Sequence, residues 1–420
     1  MALLAGVPLP PLRHDLDIVP VQHEGKPMLL VSDLLGLEDK PALVSPPVLA
    51  LASFFDGKKR AREVQAELAK ENATLSESEI QDVADQLDKL GLLETAAANE
   101  TRARALEEFR NSPVRKQPFR GLPDNPLDMA ALLNGFSSAP KGPGDWPNGN
   151  PSGKPPLGLL CPHIDFARGG PLYAWSYREL ARRPPPDVIV ALGVAHLPPN
   201  SPWAFTRKAY ETPFGPLPVA EDLYRDITES LWYDPVVDEW AHAKEHSLEF
   251  QALWLKHLWR EKTPKWVPLL CSSYERYCVN APPSSVPTVE NAIQRIGDVL
   301  AARAKKGQSV LVLAGVDLSH VGRRFGDGME ITDELKKKIE SFDRQSLEKA
   351  LALDADGFFL QGTGENAWRK VCGLSAIYTS LRWIKSLAGG ARVKSSLLAY
   401  DMAPDPAGGE VSFASAVFET

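Results

Sequence analysis

Beyond residue 155 the chain falls into short apolar runs, at 156–161, 187–194, 265–271, 309–316, 395–400 and 411–418. Between them lie amphipathic stretches near 171–183, 218–232, 245–260, 287–306, 330–353 and 365–386, where apolar residues recur every three or four positions. Apolar runs this short fit strands buried on both faces, and the intervening period fits helices laid against a sheet. The alternation predicts an α/β unit over 156–420, with a mixed or mostly parallel sheet and helices on both faces. Little more than MAPDPAGGE separates the last two runs, so they are expected to pair as an antiparallel hairpin at one edge. Neither G-x-G-x-x-G nor G-x-x-x-x-G-K-[ST] occurs, which argues against a phosphate-cradling nucleotide fold.

Residues 1–110 are patterned differently. Two short extended pieces, Leu16–Val21 and Met28–Val31, flank the turn signal Glu24-Gly25-Lys26-Pro27. Helical stretches follow from Pro47 to Phe55 and from Ala61 to Asn72. A third starts at the capping box of Ser76 and Glu79, carries Ile80, Val83, Leu87 and Leu90 on one side, and stops at Gly91 before Leu92-Leu93-Glu94. Small helices closed by a strand predict a small winged-helix-like domain. Between the two units, 111–155 is rich in proline and glycine, which remove backbone donors and loosen the chain. It reads as a linker with no continuous core element, draped over a surface by Phe119, Met129 and Trp146.

Composition narrows the function classes. Of 420 residues 44% are hydrophobic and 24% charged, and the net charge of −7 argues against nucleic acid or an anionic membrane surface as partner. Lys58, Lys59, Arg60 and Arg62 form one brief basic cluster facing an acidic third helix, which does not suit DNA. No apolar stretch approaches the roughly 20 residues of a membrane helix. The N-terminal MALLAGVPLPPLRHDLD lacks the basic start of a signal peptide. The cysteines 161, 271, 278 and 372 show no C-x-x-C spacing, as expected of thiols in a reducing cytoplasm.

Candidate chemistry sits at the ends of the strands. Three apolar runs end in a histidine: Leu160-Cys161-Pro162-His163, Leu192-Gly193-Val194-Ala195-His196, and Gly315-Val316-Asp317-Leu318-Ser319-His320. In open α/β sheets the reactive crevice lies outside the carboxyl ends of such strands. Each histidine alone also suits a packing or capping role; three at one sheet edge point to a site. Asp317 is placed to fix the tautomer of His320 and raise its basicity, and it equally suits capping the turn. Cys372, early in the stretch running to Leu387, fits either a small core residue or a thiolate favoured by a helix N-terminus. Glu245 and Ser247 fit caps of the next helix, which leaves His246 the weaker candidate. His242 and His257 fit packing or surface roles. Without G-x-S-x-G, and with Ser319, His320 and Asp317 too close in sequence for a triad, a serine hydrolase is not supported. Two histidines and a thiolate on a metal, with a third histidine as base, is the economical arrangement.

The segments PHIDFARGGPLYAWSY, LGVAHLPP, ETPFGPLPV, EHSLEFQALWL, AGVDLSHVG and VCGLSAI, in this order from Pro156 to Thr420, resemble the Memo family, including proteins called AmmeMemoRadiSam system protein B. The resemblance implies a fold similar to the class III extradiol dioxygenases. It implies metal ligands at His163, His196 and Cys372, and an acid–base pair at Asp317 and His320. It also implies iron, or alternatively copper, and an oxidoreductase reaction on a small molecule or peptide. Leu197 stands where many members carry a second histidine, and Asp165 adds a carboxylate near the first motif. Residues 54–94 resemble PqqD-like peptide-recognition domains. That implies capture of a peptide or of a partner such as a radical S-adenosylmethionine enzyme, or another protein of the same system. The other reading of the whole is a Memo-like scaffold that binds a peptide or protein and catalyses nothing.

Overall fold

The computed structural model describes residues 6–33, 41–116, 121–229, 231–278 and 281–420. The chain divides into two units, Met1–Asn111 and Ser112–Thr420. In the first, β1 (Leu16–His23) and β2 (Lys26–Asp33) make an antiparallel hairpin. Its two turn residues, Glu24 and Gly25, have φ of 50° and 73°, the left-handed pair that matches strand twist. Strand β3 (Ala42–Val44) joins β2. Helices α1 (Pro46–Ala52), α2 (Ala61–Lys70), α3 (Glu77–Lys89) and α4 (Ala96–Asn111) follow. The capping box forms: Glu79 N–H donates to Ser76 Oγ at 3.2 Å, and Ser76 N–H donates to Glu79 Oε2 at 2.7 Å. Val64, Ile80, Ala84 and Leu93 lie in this unit's core. The expected strand after Gly91 amounts to a single bridge, Leu93 to Leu12.

The second unit runs β4 (Val114–Arg115), α5 (Pro126–Ser138), β5 (Gly158–Cys161), α6 (Phe166–Ala181) and β6 (Val188–Val194), then β7 (Trp203–Phe205), β8 (Ala209–Tyr210), α7 (Glu221–Thr228), α8 (Glu249–Trp259) and β9 (Trp266–Cys271). It continues with α9 (Pro287–Lys305), β10 (Val310–Gly315), β11 (His320–Gly322), α10 (Asp333–Leu351), α11 (Ala355–Ala367), α12 (Leu374–Ala388), β12 (Lys394–Asp405) and β13 (Gly409–Glu419). The main sheet has the order β11-β13-β5-β10-β6-β9-β7, with β12 also on β13. Strands β5, β10, β6 and β9 are parallel neighbours, flanked by antiparallel β13 and β7. The sheet is mixed, with a four-stranded parallel centre. Along β10, Val310, Val312 and Ala314 face a core shared with α9 and α12, while Leu311 and Leu313 face another shared with α5, α6 and α8. Both faces of the sheet carry helices, which is why its strands read as continuous apolar runs. The hairpin of β12 and β13 forms, pairing Lys394 with Glu419 at one end and Asp405 with Gly409 at the other, with a register shift between Leu397 and Ala399.

The stretch 111–155 departs from the linker expected there. Strand β4 brings Arg115 into the interior, and α5 buries Met129 and Leu133 completely. The prolines lie where helices tolerate them. Pro126 occupies the first turn, and Asn125 Oδ1 caps the helix by accepting from Asp128 N–H at 2.9 Å. Trp146 stacks on Trp254 with centroids 6.3 Å apart; Phe119 lies outside the described residues. Leu133→Ala is therefore expected to cost about 2–5 kcal/mol in urea unfolding. A cost near the roughly 0.5 kcal/mol of a surface change would place α5 outside the core.

The stretch 365–386 is not one helix. Glu365, Asn366, Ala367 and Lys370 have φ between 46° and 61°, and α12 starts only at Leu374. Among the described residues no helix is long and apolar enough to cross a membrane. All four cysteines are free thiols.

Candidate metal centre

Because β5, β10 and β6 are adjacent and parallel, their carboxyl ends open to the same side of the sheet. His163, Asp317 and His196 each stand two residues beyond one of these ends. The rings of His163 and His196 approach to 5.2 Å between centroids. The third ring beside them is His246, 5.4 Å from His163 and stacked 4.7 Å from His196. The three histidines can offer ring nitrogens that all lie within 4.8 Å of one another.

His246 reaches this position because the turn ahead of α8 lies directly on the strand ends. A Cβ on Gly193 would meet Ser247 Oγ at 2.5 Å, and one on Gly315 would meet Ser247 O at 2.4 Å. Only glycine leaves room for that approach. Ser247 Oγ accepts from Val194 N–H at 3.1 Å and donates to Val194 O at 3.0 Å, so the turn is stitched to β6.

Two of the rings are held from behind. His163 Nδ1 lies 3.0 Å from Gly315 O, so an Nδ1–H donated there turns Nε2 toward the cluster. His196 Nδ1 lies 3.1 and 3.0 Å from the two oxygens of Glu245. The buried Glu245 carboxylate also accepts the backbone N–H groups of His196, His246 and Ser247 at 2.8–2.9 Å. Burial pushes its pKa up, but the His196 imidazole and these donors outweigh that and hold it well below the ordinary carboxylate value. Glu245 is thus more than the helix cap its sequence position suggested. Its partner His196 lies 49 residues away, and only the Glu-His-Ser cluster ahead of an apolar helix hinted at it.

The remaining expected site residues adjoin the cluster. Asp317 Oδ1 accepts from His163 N–H at 3.0 Å, and Oδ2 lies 3.6 Å from His163 Nε2. Cys372 Sγ lies 3.5 Å from the same nitrogen and 3.7 Å from Asp317 O. A Cβ on Gly373 would meet Asp317 O at 2.6 Å, so glycine again permits the contact. Burial first, and then the Asp317 charge, push the Cys372 thiol well above its ordinary value. A thiolate favoured by the helix N-terminus is therefore not what the protein alone supports. His320 Nδ1 bonds Leu318 O at 3.1 Å, so a backbone carbonyl, rather than Asp317, orients this ring. Burial, reinforced by His163 and opposed by Asp317, lowers the His320 pKa to about 4 and keeps the ring neutral near pH 7. Asp165 caps α6 through Arg168 N–H at 3.1 Å and pairs with Arg168 Nε at 2.6 Å. A cavity of about 590 Å³ opens over His163, His196, His246 and His320, walled by Phe250 and Phe325.

The sequence pattern of Memo-like proteins matches residues 123–417, well over half of the chain. The chain belongs to the Memo family. A MEMO1 family protein of Aquifex aeolicus is 26% identical over 397 residues, 93% of this chain and 95% of the relative. One from Thermus thermophilus is 31% identical over 274 residues, 63% of this chain and 72% of that protein. A MEMO1 family protein of Desulfurococcus amylolyticus is 27% identical over 303 residues, 71% of this chain and 94% of the relative. A solved structure of an uncharacterized Escherichia coli K12 protein aligns with a TM-score of 0.34 and 15% identity, over 63% of this chain and 99% of that one. The Aquifex match is longer than the second unit, so it extends into the first, whereas the Desulfurococcus relative has little chain beyond its match. Most of the first unit therefore has a counterpart in the Aquifex relative, and the Desulfurococcus relative is too short to carry all of it.

Proposed function

We propose that the Memo unit is a mononuclear metalloprotein. His163, His196 and His246 would hold the ion, Cys372 would serve as an adjacent sulfur ligand, and iron, or alternatively copper, would be the metal. The observation that carries this reading is the convergence of three histidine donor atoms within 4.8 Å of one another. Two of the rings have Nδ1 against an acceptor, His163 on Gly315 O and His196 on Glu245, which leaves Nε2 as donor. Imidazoles with a neighbouring thiol suit a first-row transition metal better than calcium or magnesium, which prefer oxygen. When bound, such an ion would supply one-electron redox chemistry, and the reaction we assign is oxidation of a substrate in the cavity with dioxygen as the electron acceptor.

The protein's own groups have separable tasks. Asp317 holds the backbone of His163, and Glu245 holds the ring of His196. His320, neutral near pH 7, can accept a hydrogen bond from a substrate hydroxyl or from water within the cavity. Phe250 and Phe325 narrow the space that water can occupy.

Metal analysis of protein purified without a histidine tag tests the reading. About one equivalent of iron or copper is expected, lost in His163→Ala and in His196→Ala. His246→Ala is expected to lose the ion as well, and Cys372→Ala to bind it more weakly than wild type. Wild type that remains metal-free after anaerobic loading with ferrous iron would falsify the metal reading and leave the scaffold reading in its place.

A further inference from the structure

We propose that Arg115 is a positioning residue for the metal centre, setting the turn that carries Glu245 and His246 and with it the affinity for the ion. The proposal rests on the reading of His163, His196 and His246 as ligands. Arg115 precedes residue 123, where the Memo match begins, and belongs to the stretch whose composition suggested a linker. It lies in β4, which pairs in parallel with β8 so that Arg115 stands opposite Tyr210. Glu211 N–H donates to Arg115 O at 3.0 Å and fixes the backbone.

The guanidinium is fully buried and packs over the Tyr210 ring, 4.8 Å from its centroid. Its Nε donates to His242 O at 3.0 Å. Its Nη2 donates to Glu245 O at 2.5 Å and to Glu249 Oε2 at 2.8 Å. These three acceptors bracket one turn: His242 ends the short 3₁₀ helix before it, and Glu249 is the first residue of α8 after it. Tyr210 OH and Ala204 O hold the His242 ring in place, at 2.7 and 2.9 Å, so the near side of the bracket is rigid.

A buried cation–carboxylate pair is not by itself a stabilising device, because desolvation offsets the attraction. Two of the Arg115 donors go instead to peptide carbonyls, at both ends of the three-residue step from His242 to Glu245. A planar fork with fixed donor directions sets the spacing of those carbonyls. Glu245 then carries the consequence into the centre, since its carboxylate holds His196 and the next residue is His246. One side chain outside the cluster thereby orients two of the three rings.

Cobalt(II) alone, added to the full chain, is the probe. Two variants are compared with wild type: Arg115→Lys, a single point donor, and Arg115→Met with Glu249→Met, which leaves no unpaired buried charge. Both are expected to bind cobalt about 10–100-fold more weakly in competition with a chromogenic chelator. The visible absorption of the bound ion is also expected to shift. A residue that only stabilised the fold would lower the melting temperature and leave the affinity of the folded protein and the spectrum unchanged. That result, in either folded variant, overturns the role of Arg115 while the metal reading stands. Cobalt uptake by wild type no stronger than by His163→Ala overturns the metal reading and Arg115 with it. Should the double variant fail to fold, Arg115→Lys decides.

Discussion

Asp343→Ala is expected to destabilise the second unit by about 3–5 kcal/mol in urea unfolding at pH 7. Asp343 lies midway along α10 with no exposed surface. Its Oδ1 accepts from Ser319 Oγ at 2.6 Å and from Arg369 Nη1 at 2.7 Å. Its Oδ2 accepts from Tyr400 OH at 2.9 Å and from Ser412 Oγ. A single neutral hydrogen bond is worth only about 1 kcal/mol net. The larger cost comes from the buried Arg369 guanidinium, which would keep Ser346 Oγ and Gln361 O as partners but lose its counter-charge. The same network carries the Asp317–His320 segment. Leu318 N–H donates to Ser412 O, Ser412 N–H to Ser319 O, and His320 N–H to Arg369 O. Loosening it is therefore expected to weaken metal retention as well as stability. Replacing both charges together, Asp343→Leu with Arg369→Met, is expected to restore most of the stability, because no lone charge remains buried. A single-variant cost below about 1 kcal/mol would show that this carboxylate does not anchor the segment.

The parts of the fold that were legible are those whose signal is local. The run 309–316 is β10, Val310–Gly315, and the stretch 287–306 is α9, Pro287–Lys305. Pro287 opens that helix, and Gly307, with φ of 88°, follows its end. Strands β7 and β11, three residues each, have no such signature, since their sheet partners make them strands. The kink before Cys372 was equally hidden. Left-handed backbone at Glu365, Asn366, Ala367 and Lys370 runs against local preference, and the buried bond of Arg369 to Asp343 helps to hold it. In the site, His163, His196 and Asp317 were visible because each directly follows a buried run. His246 was obscured because Glu245 and Ser247 resemble ordinary helix caps. What places it, the room made by Gly193 and Gly315, is a contact distant in sequence.

Glu245→Gln is expected to weaken metal binding about 10–100-fold and to cost about 3 kcal/mol of stability at pH 7. The carboxylate receives four N–H groups, from His196 Nδ1 and from the backbones of His196, His246 and Ser247. An amide of the same shape offers one oxygen and points an NH₂ group at donors, so buried donors lose their acceptor. Acid supplies an independent check. The Glu245 carboxyl is held well below its ordinary value of 4.5 in the folded protein. The unfolded chain therefore takes up the proton first as the pH falls. The stability it contributes is fully present above about pH 4.5 and is lost as the pH drops through the depressed folded value. Glutamine does not titrate, so the gap between wild type and variant is expected to narrow progressively below about pH 4.5. Urea unfolding of both metal-free proteins across that range measures it. A gap of the same size at about pH 3 and at pH 7 would mean that the charge of Glu245 does not hold His196 and the His246 turn together.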